Sequence, residues 1–392
     1  MKPFEFHCPT KIICGKESLH KLPDTLEEHR VKKPLLVTDG NLVKLGVAKH
    51  VTDPLEEANI SYVTFDKVPP DSSLDVVNEV AKLYQDSGCD GWIALGGGSV
   101  IDTTKGAAAS ISVGGKDFAT LQGSEILKNQ LDPFIAIPTT AGTGSEVTLV
   151  AVIADTEAQA KLSYTSYRLV PHVAILDPAL TSSLPPRLTA TTGIDALTHA
   201  IEAYTSIQKN PISDALALHA IKLINQNLAK ACAEPENTDA RTNLAIGSLT
   251  AGAAFSNSMV GIVHALGHSL GGLCHIPHGH AMMLLLPHCI RYNINHGYHA
   301  GMYGELLSSL CPDKDLAGLT SSDKDHLFET ELFAMNDFYH STYNVAITLS
   351  ELGVTKEDLP AVAKQARYDG AALYNEQEIT EEVAMSILEA AF

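Results

Sequence analysis

The chain lacks several features that would assign it to other classes of protein. Its 392 residues include 27 basic against 46 acidic ones, a net charge of −19. This charge argues against nucleic acid or an anionic membrane as a partner, because both attract basic patches. No uncharged apolar run reaches the roughly 18 residues of a membrane-spanning helix, and the first residues lack the apolar core of a signal peptide. We therefore expect no membrane association.

Paired cysteine motifs are also missing. The number of cysteines is odd, and no two of them have CxxC spacing: Cys8, Cys14, Cys89, Cys232, Cys274, Cys289 and Cys311. Scattered, unpaired cysteines are typical of reduced thiols, so we expect a cytoplasmic protein without disulfides.

The first half of the chain alternates short apolar runs with amphipathic stretches. The apolar runs predict strands at 34–38, 61–65, 92–95 and 134–138. The amphipathic stretches predict helices at 42–58 and 73–83. Strands separated by helices of this length indicate a parallel, doubly wound sheet. We therefore predict an α/β domain over residues 1–182.

The pattern changes near residue 186, where two prolines and an arginine favour the start of a helix. Long helical patterns follow at 187–206, 211–231, 240–257 and 259–274. Strand patterns become rare, so we predict an all-α domain over residues 183–392. The polar stretch 311–335 is interpreted as a surface excursion.

Three glycines, Gly96 to Gly98, followed by Ser99, stand between a predicted strand and a predicted helix. Glycines allow a diphosphate to approach the backbone, and the following helix N-terminus favours its charge. The usual GxGxxG fingerprint is absent, and a tight strand-to-helix turn explains the glycines as well. Asp39, after the first strand, is placed to bind ribose hydroxyls and repel a 2′-phosphate, or simply forms an Asp-Gly turn.

A loop rich in hydroxyl side chains and small residues follows the strand at 134–138. It includes Thr139, Thr140 and Thr143. Such a loop can bind polar groups of a cofactor, and it is equally compatible with a capped turn before the next strand.

Histidines concentrate in one apolar part of the chain. Of 17 histidines, six lie between 264 and 288 among Gly, Ala and Leu, without a charged residue. Buried imidazoles need partners, and a metal ion supplies one for several at once. Asp195 and His199 are four residues apart and share a helix face. The spacing predicts a divalent metal site without HExxH and leaves the choice of ligands open.

These motifs resemble those of the iron-containing, or group III, alcohol dehydrogenases over almost the whole chain. The resemblance is carried by four ordered segments at 96–106, 137–148, 192–204 and 264–279. It implies a dehydroquinate-synthase-like fold, in which an α/β dinucleotide-binding domain and an all-α domain enclose the active site in a cleft.

The resemblance also implies roles for single residues. The metal ligands would be Asp195, His199, His264 and His278. The cofactor positions would be Asp39, Gly97, Gly98, Ser99, Thr139, Thr140 and Lys161. His268 would be a catalytic residue near substrate and nicotinamide, with Phe255 and Val150 beside the substrate.

The implied activity is the interconversion of a small primary alcohol and its aldehyde, with hydride transfer to or from NAD. Three imidazoles and a carboxylate suit Fe(II) and Zn(II) alike, with Ni(II), Co(II) or Mn(II) as further options, and the resemblance favours iron. We expect a homo-oligomer, with a dimer as the minimum. Residues 374–377 depart from an AsnProArg segment that is common in the family.

Other functions remain open at this point. A glycerol or diol dehydrogenase of the same superfamily is the nearest alternative, although Val150 in place of a polar residue favours an apolar alcohol. A dehydroquinate-synthase-type lyase would need a basic cleft, and the stretch 240–290 offers only Arg241. A metal- or nucleotide-binding structural protein whose site has lost turnover is the third alternative, and the unbroken motifs argue against it.

Overall fold

The computed structural model describes residues 3–121, 123–155 and 160–392. Its strands are β1 (Lys11–Cys14), β2 (Pro34–Val37), β3 (Val63–Phe65), β4 (Gly91–Gly96), β5 (Gly123–Ser124), β6 (Phe134–Pro138), β7 (Val150–Asp155), β8 (Ala160–Thr165) and β9 (Val173–Leu176). Its helices are α1 (Leu22–Glu28), α2 (Gly40–Lys44), α3 (Lys49–Glu57), α4 (Leu74–Ser87), α5 (Gly98–Ser112), α6 (Pro186–Thr205), α7 (Pro211–Ala233), α8 (Thr238–Phe255), α9 (Ile262–Cys274), α10 (His278–His296), α11 (Met302–Leu310), α12 (Ser321–Tyr343), α13 (Leu359–Ala366) and α14 (Glu381–Ala390).

Six strands form one parallel sheet in the order β1-β9-β6-β4-β2-β3. Successive residues of a strand enter different cores: Leu35 and Trp92 pack in one cluster, and Leu36 and Ile93 in another. A sheet covered on both faces needs apolar residues at consecutive positions, which is why these strands are continuous apolar runs. The predicted parallel α/β sheet is therefore confirmed.

A smaller sheet of β5, β8 and β7 was not predicted. β8 pairs parallel with β5 and antiparallel with β7. Ala151 and Ile153 of β7 share a core cluster with Ala107 and Ala108 of α5. The sheet is therefore part of the α/β core.

The chain divides into two compact units. The helical unit comprises Leu184–Pro235 and Ile246–Phe392, with the N-terminal residues up to Phe6. The α/β unit comprises His7–Ser183 and Glu236–Ala245. The predicted order, a parallel α/β part followed by a helical part, is confirmed. No helix among the described residues has the length and apolar character needed to cross a membrane.

Two predicted elements were wrong. The helix at 42–58 is two helices, α2 and α3, because the chain turns through Gly46 with a φ of +76°. The stretch 311–335 is not wholly an excursion, since α12 begins at Ser321 behind a capping box of Thr320 and Asp323. Buried Phe328 and Leu332, four residues apart, carry the helical spacing that its polar composition obscured.

Candidate functional site

Four potential metal-ligating side chains converge in the helical unit. Asp195 and His199 lie on α6, His264 lies on α9, and His278 is the first residue of α10. One ligand atom from each residue can be chosen so that all four lie within 4.8 Å of one another. The first three residues are buried, whereas the side chain of His278 is 29% exposed. The four residues that the resemblance indicated are thus brought together.

Local backbone structure explains how His278 reaches this cluster. Helix α9 ends at Cys274, and His275 adopts a left-handed conformation with a φ of 56°. Such a residue ends a helix by satisfying its last carbonyl groups. Pro277 then precedes α10, whose first residue is His278. The turn between two helices therefore returns an imidazole to the side of His264.

Asp195 Oδ1 is the centre of the cluster. It lies 3.3 Å from His278 Nε2 and 3.9 Å from Nε2 of both His199 and His264. Ligand atoms at about 2.1 Å around a tetrahedral ion are about 3.4 Å apart, which is close to this spacing. Within the described residues, Asp195 Oδ1 and His264 Nε2 are buried without a hydrogen-bond partner. Leaving such atoms unpaired is costly, so the site fits a cation.

Burial sets the protonation of the cluster. It lowers the pKa of His199 to about 3 and that of His264 well below the usual value. Burial alone would raise the pKa of Asp195, but His199, His278 and His264 outweigh it, and the pKa lies below the ordinary range. Neutral imidazoles and an ionised carboxylate are the forms that bind metals.

A second carboxylate, which sequence reasoning missed, contacts this cluster. Glu202 Oε2 lies 2.5 Å from His264 Nδ1, and Oε1 accepts a 2.6 Å hydrogen bond from Val263 N. Burial raises the pKa of Glu202 to about 7. The available signal in the sequence was its position three residues after His199, because residues three apart lie on the same face of a helix.

His268 lies beside the cluster and has a carboxylate partner of its own. Its ring stacks on His278 at 5.5 Å between centroids, and its Nδ1 is 3.0 Å from Asp369 Oδ2. Asp369 Oδ1 in turn accepts a hydrogen bond from Ala371 N at 2.8 Å. Asp369 was also missed, since it is 101 residues away in the sequence and no local pattern connects the two.

Phe255 contacts the same cluster from the end of α8. Its ring is 8% exposed and stacks on His199, with 4.4 Å between ring centroids. The aromatic side chain thus gives the ligand cluster an apolar neighbour.

The proposed nucleotide residues lie in the α/β unit, most of them at one sheet edge. Strands β2, β4 and β6 are parallel neighbours. Asp39, Gly97 and Thr139 follow their carboxyl ends. Ligands of open α/β sheets bind at this edge. Lys161 lies elsewhere, on β8, with its Nζ 2.9 Å from Asp71 Oδ1.

The glycine turn packs tightly against the threonine loop. A Cβ atom at Gly98 would lie 2.7 Å from Thr143 Cγ2, and one at Gly97 would lie 3.3 Å from Thr140 Oγ1. Packing within the chain therefore already requires glycine at position 98. The turn explanation and the nucleotide explanation are both compatible with this geometry.

Several polar groups of this edge already have partners within the chain. Asp39 Oδ1 caps α2 by accepting hydrogen bonds from Asn41 N and Leu42 N, at 2.8 and 3.0 Å. Ser99 Oγ donates to the carbonyl of Pro70. The Asp-Gly turn expected as the alternative for Asp39 thus takes the form of a helix cap.

Two charged residues of α5 fix the threonine loop and the strand after it. Asp102 accepts hydrogen bonds from Ser145 Oγ and Val152 N, at 2.5 and 2.9 Å. Lys105 is buried, and its Nζ donates to the carbonyls of Thr148 and Val150, both at 2.8 Å. Burial lowers the pKa of Lys105 to about 8. The loop is therefore held against the helix that follows the glycines.

Known proteins resemble this chain over its whole length. Alcohol dehydrogenase 4 of Saccharomyces cerevisiae is 34% identical, with 99% of this chain and 98% of that protein covered. The 1,3-propanediol dehydrogenase of Citrobacter freundii is 37% identical, with 99% of both covered. Lactaldehyde reductase of Escherichia coli is 35% identical over 93% of this chain and 94% of that protein.

Solved structures agree with these relatives. A crystal structure of 1,3-propanediol oxidoreductase has a TM-score of 0.94 at 36% identity, with 100% of both chains covered. The sulfoacetaldehyde reductase of Bifidobacterium kashiwanohense, in complex with NAD+, has a TM-score of 0.84 at 29% identity, with 100% of this chain and 99% of that chain covered.

Two family models match consecutive parts of the chain. Residues 9–178 match the model for iron-containing alcohol dehydrogenase, and residues 189–392 match the C-terminal model of the Fe-containing alcohol dehydrogenase family. The resemblance seen in the four motifs is thus confirmed. The chain belongs to the iron-containing alcohol dehydrogenase family, and it is an oxidoreductase that interconverts alcohols and aldehydes.

Proposed function

We propose that Asp195, His199, His264 and His278 hold one divalent metal ion for the oxidation of a small primary alcohol and the reduction of its aldehyde. The proposal is carried by the four convergent ligand atoms, two of which are buried without a hydrogen-bond partner in the described part of the chain. The expected ion is Fe(II), on the basis of the family, although this donor set also suits Zn(II). When bound, such an ion acts as a Lewis acid toward an alcohol or carbonyl oxygen.

NAD is the proposed nucleotide, and an NAD+ complex of a similar protein supports this choice. The diphosphate would approach Gly97, Gly98 and Ser99 at the N-terminus of α5, where backbone amides and the helix dipole favour negative charge. Thr139 and Thr140 are the proposed polar contacts of the adjoining loop. Lys161 is a weaker assignment, because Asp71 already pairs with its ammonium group.

Asp39 is proposed to select NAD over NADP. Its Oδ1 accepts both hydrogen bonds of the α2 cap, so Oδ2 would meet the ribose hydroxyls. A 2′-phosphate at that position would be repelled by the carboxylate charge.

His268 is the proposed proton carrier. A hydrogen bond from Nδ1 to Asp369 would leave Nε2 free to accept the proton of the alcohol, directly or through a cofactor hydroxyl. Phe255 and Val150 are proposed to contact the carbon chain of the substrate, excluding water from the reacting atoms.

The proposed function is tested by following NADH absorbance at 340 nm with butyraldehyde or lactaldehyde as substrate. We expect consumption of NADH, a much slower rate with NADPH, and loss of the rate after metal chelation. The rate of NADH consumption should recover when Fe(II) is added under anaerobic conditions. An undiminished rate in fully chelated protein would contradict the metal assignment, and equal rates with NADH and NADPH would contradict the assignment of Asp39.

A diol dehydrogenase is the second candidate, favoured by the named activities of two similar proteins. Val150, which begins β7, is the residue that distinguishes the candidates. We predict that wild type prefers 1-propanol to 1,3-propanediol. Val150→Asn should move the ratio of their kcat/KM values toward the diol by about tenfold, roughly 1.4 kcal/mol. Val152→Asn, on the same strand, is the control. A wild type that prefers the diol would support the second candidate.

Oligomerisation and location are further proposals. We infer a homo-oligomer, at least a dimer, in the cytoplasm, with small molecules rather than nucleic acid or membranes as partners. The acidic composition argues against nucleic acid and membrane partners, and the odd number of cysteines without CxxC spacing supports the cytoplasmic location. Light scattering of the purified protein would contradict the first part if it gave the mass of a monomer, and cell fractionation tests the second.

A further inference from the structure

The buried carboxylate of Glu202 lies behind the metal cluster rather than in it. Glu202 follows Asp195 by seven residues and His199 by three, so all three share one face of α6. It is 5% exposed, and its Oε2 lies 2.5 Å from His264 Nδ1. Its side chain is not among the four groups that converge around Asp195.

Both oxygens of this carboxylate are already engaged. Oε1 accepts a hydrogen bond from Val263 N in the first turn of α9, and Oε2 faces the imidazole of His264. The first amide groups of a helix have no partner within the helix, so Glu202 connects the start of α9 to α6. Gly261 allows this approach, since a Cβ there would lie 3.3 Å from Glu202 Oε1.

This contact has a consequence for the protonation of the imidazole. An ionised carboxylate only accepts hydrogen bonds, so with Glu202 ionised the proton of neutral His264 belongs on Nδ1. The lone pair is then on Nε2, the buried atom 3.9 Å from Asp195 Oδ1, for which residues 3–121, 123–155 and 160–392 provide no hydrogen-bond partner. We propose that Glu202 is a positioning residue, which fixes the tautomer and ring orientation of His264 for binding the metal.

The proposal rests on the proposed metal site, and it predicts a change in metal affinity that a purely structural role of Glu202 would not cause. If Glu202 only anchored α9, its loss would lower the melting temperature of the metal-free protein and leave metal affinity alone. A carboxylate behind a ligating histidine instead changes metal affinity, typically by 10- to 100-fold.

The variants are Glu202→Gln and Glu202→Asp. Gln offers one acceptor oxygen to two donors, so its amide group must oppose either Val263 N or His264 Nδ1. Asp keeps two acceptor oxygens on a shorter side chain. The matched control is Glu305→Gln on α11, because Glu305 also binds a residue of α6, accepting a 2.5 Å hydrogen bond from Tyr204 Oη.

The experiment measures the Co²⁺ dissociation constant of the chelated protein by competition with a coloured chelator, the visible spectrum of the Co²⁺ form, and the melting temperature of the metal-free form. We expect binding that is weaker by 10- to 100-fold in Glu202→Gln, with an altered spectrum, and a smaller loss in Glu202→Asp. Glu305→Gln should bind Co²⁺ as wild type does.

Wild-type affinity and spectrum in a folded Glu202→Gln protein would overturn the positioning role, whatever the melting temperature. If Glu202→Gln does not fold, wild-type affinity and a wild-type spectrum in Glu202→Asp would overturn the positioning role. Failure of wild type to bind Co²⁺ at all would instead refute the proposed metal site, so the two failures are distinguishable.

Discussion

The metal cluster of the helical unit and the nucleotide loops of the α/β unit are built in opposite ways. In the cluster, Asp195 Oδ1 and His264 Nε2 are buried without hydrogen-bond partners among the described residues. In the loops, Asp39 and Ser99 are already engaged with the chain itself. The cluster thus has buried polar atoms that a cation would satisfy, whereas Asp39 Oδ1 and Ser99 Oγ are satisfied within the chain.

The two proposed sites would therefore use different kinds of atom to bind their ligands. The cluster depends on side-chain atoms, because coordination requires nitrogen and oxygen lone pairs at fixed positions. The proposed nucleotide edge depends on backbone amides and on glycines, because amides can hold a diphosphate only where no Cβ blocks its approach. Substitutions should therefore have large effects on chemistry in the first region and graded effects on cofactor affinity in the second.

The largest expected effect is in the metal cluster. His199→Ala should remove the bound metal and lower kcat by at least about a thousandfold, since the Lewis acid supplies several kcal/mol to the reaction. Metal content and turnover are measured on the same sample. His219→Ala, an exposed histidine on α7, is the control and should keep both. Retention of metal and activity in His199→Ala would refute its place in the cluster.

A smaller effect is expected at the glycine turn. Gly98→Ala places a methyl group 2.7 Å from Thr143 Cγ2, and overpacking of this kind costs about 2 kcal/mol. The new methyl group would also stand where the diphosphate is proposed to approach the backbone, so the KM for NAD should rise about 30-fold while metal content is unchanged.

The double variant Gly98→Ala/Thr143→Ser separates two explanations of that effect. Serine lacks Cγ2, so the 2.7 Å contact is removed and only contacts of 3.2 Å to Cβ and the hydroxyl oxygen remain, while the new methyl group still stands in the way of a diphosphate. A KM that returns to the wild-type value would show that glycine is needed only for packing.

The charge of Asp39 should have a still smaller effect, on the choice of nucleotide. Asp39→Asn keeps a side-chain acceptor for the α2 cap, because Asn caps helices as well as Asp does. Removing the charge should raise kcat/KM for NADP relative to NAD by about tenfold, roughly 1.4 kcal/mol. Asp53→Asn, an exposed carboxylate in α3, controls for net charge. An unchanged ratio would assign Asp39 to the cap alone.

The last effect concerns stability rather than activity, at a buried histidine outside the cluster. Burial lowers the pKa of His288 from 6.5 to about 4. The unfolded chain therefore binds more protons between these values, and the free energy of unfolding should fall as the pH decreases from 6.5 toward 4. At pH 5 this amounts to about 2 kcal/mol.

Urea unfolding of metal-free wild type and His288→Leu at pH 7 and pH 5 measures that contribution. The decrease between the two pH values should be smaller in the variant, because leucine does not titrate. Equal decreases would mean that His288 is not responsible for the loss of stability.

Sequence was informative about the cluster because its residues sit on helices, where a spacing of four places Asp195 and His199 on one face. Family resemblance added His278, whose position depends on the turn at His275. The contacts of Glu202 and Asp369 join separate segments, which no local periodicity encodes. The break of the predicted helix at Gly46 and the small sheet containing β7 and β8 depend in the same way on backbone conformation and tertiary packing.

The most direct test of the account is an anaerobic titration of chelated protein with Fe²⁺, in which the rate of NADH consumption with butyraldehyde is recorded after each addition. We predict that the rate rises linearly with added Fe²⁺ and stops rising at one ion per chain, and that it does not rise in His199→Ala. A metal-free protein that already turns over at the full rate would contradict it.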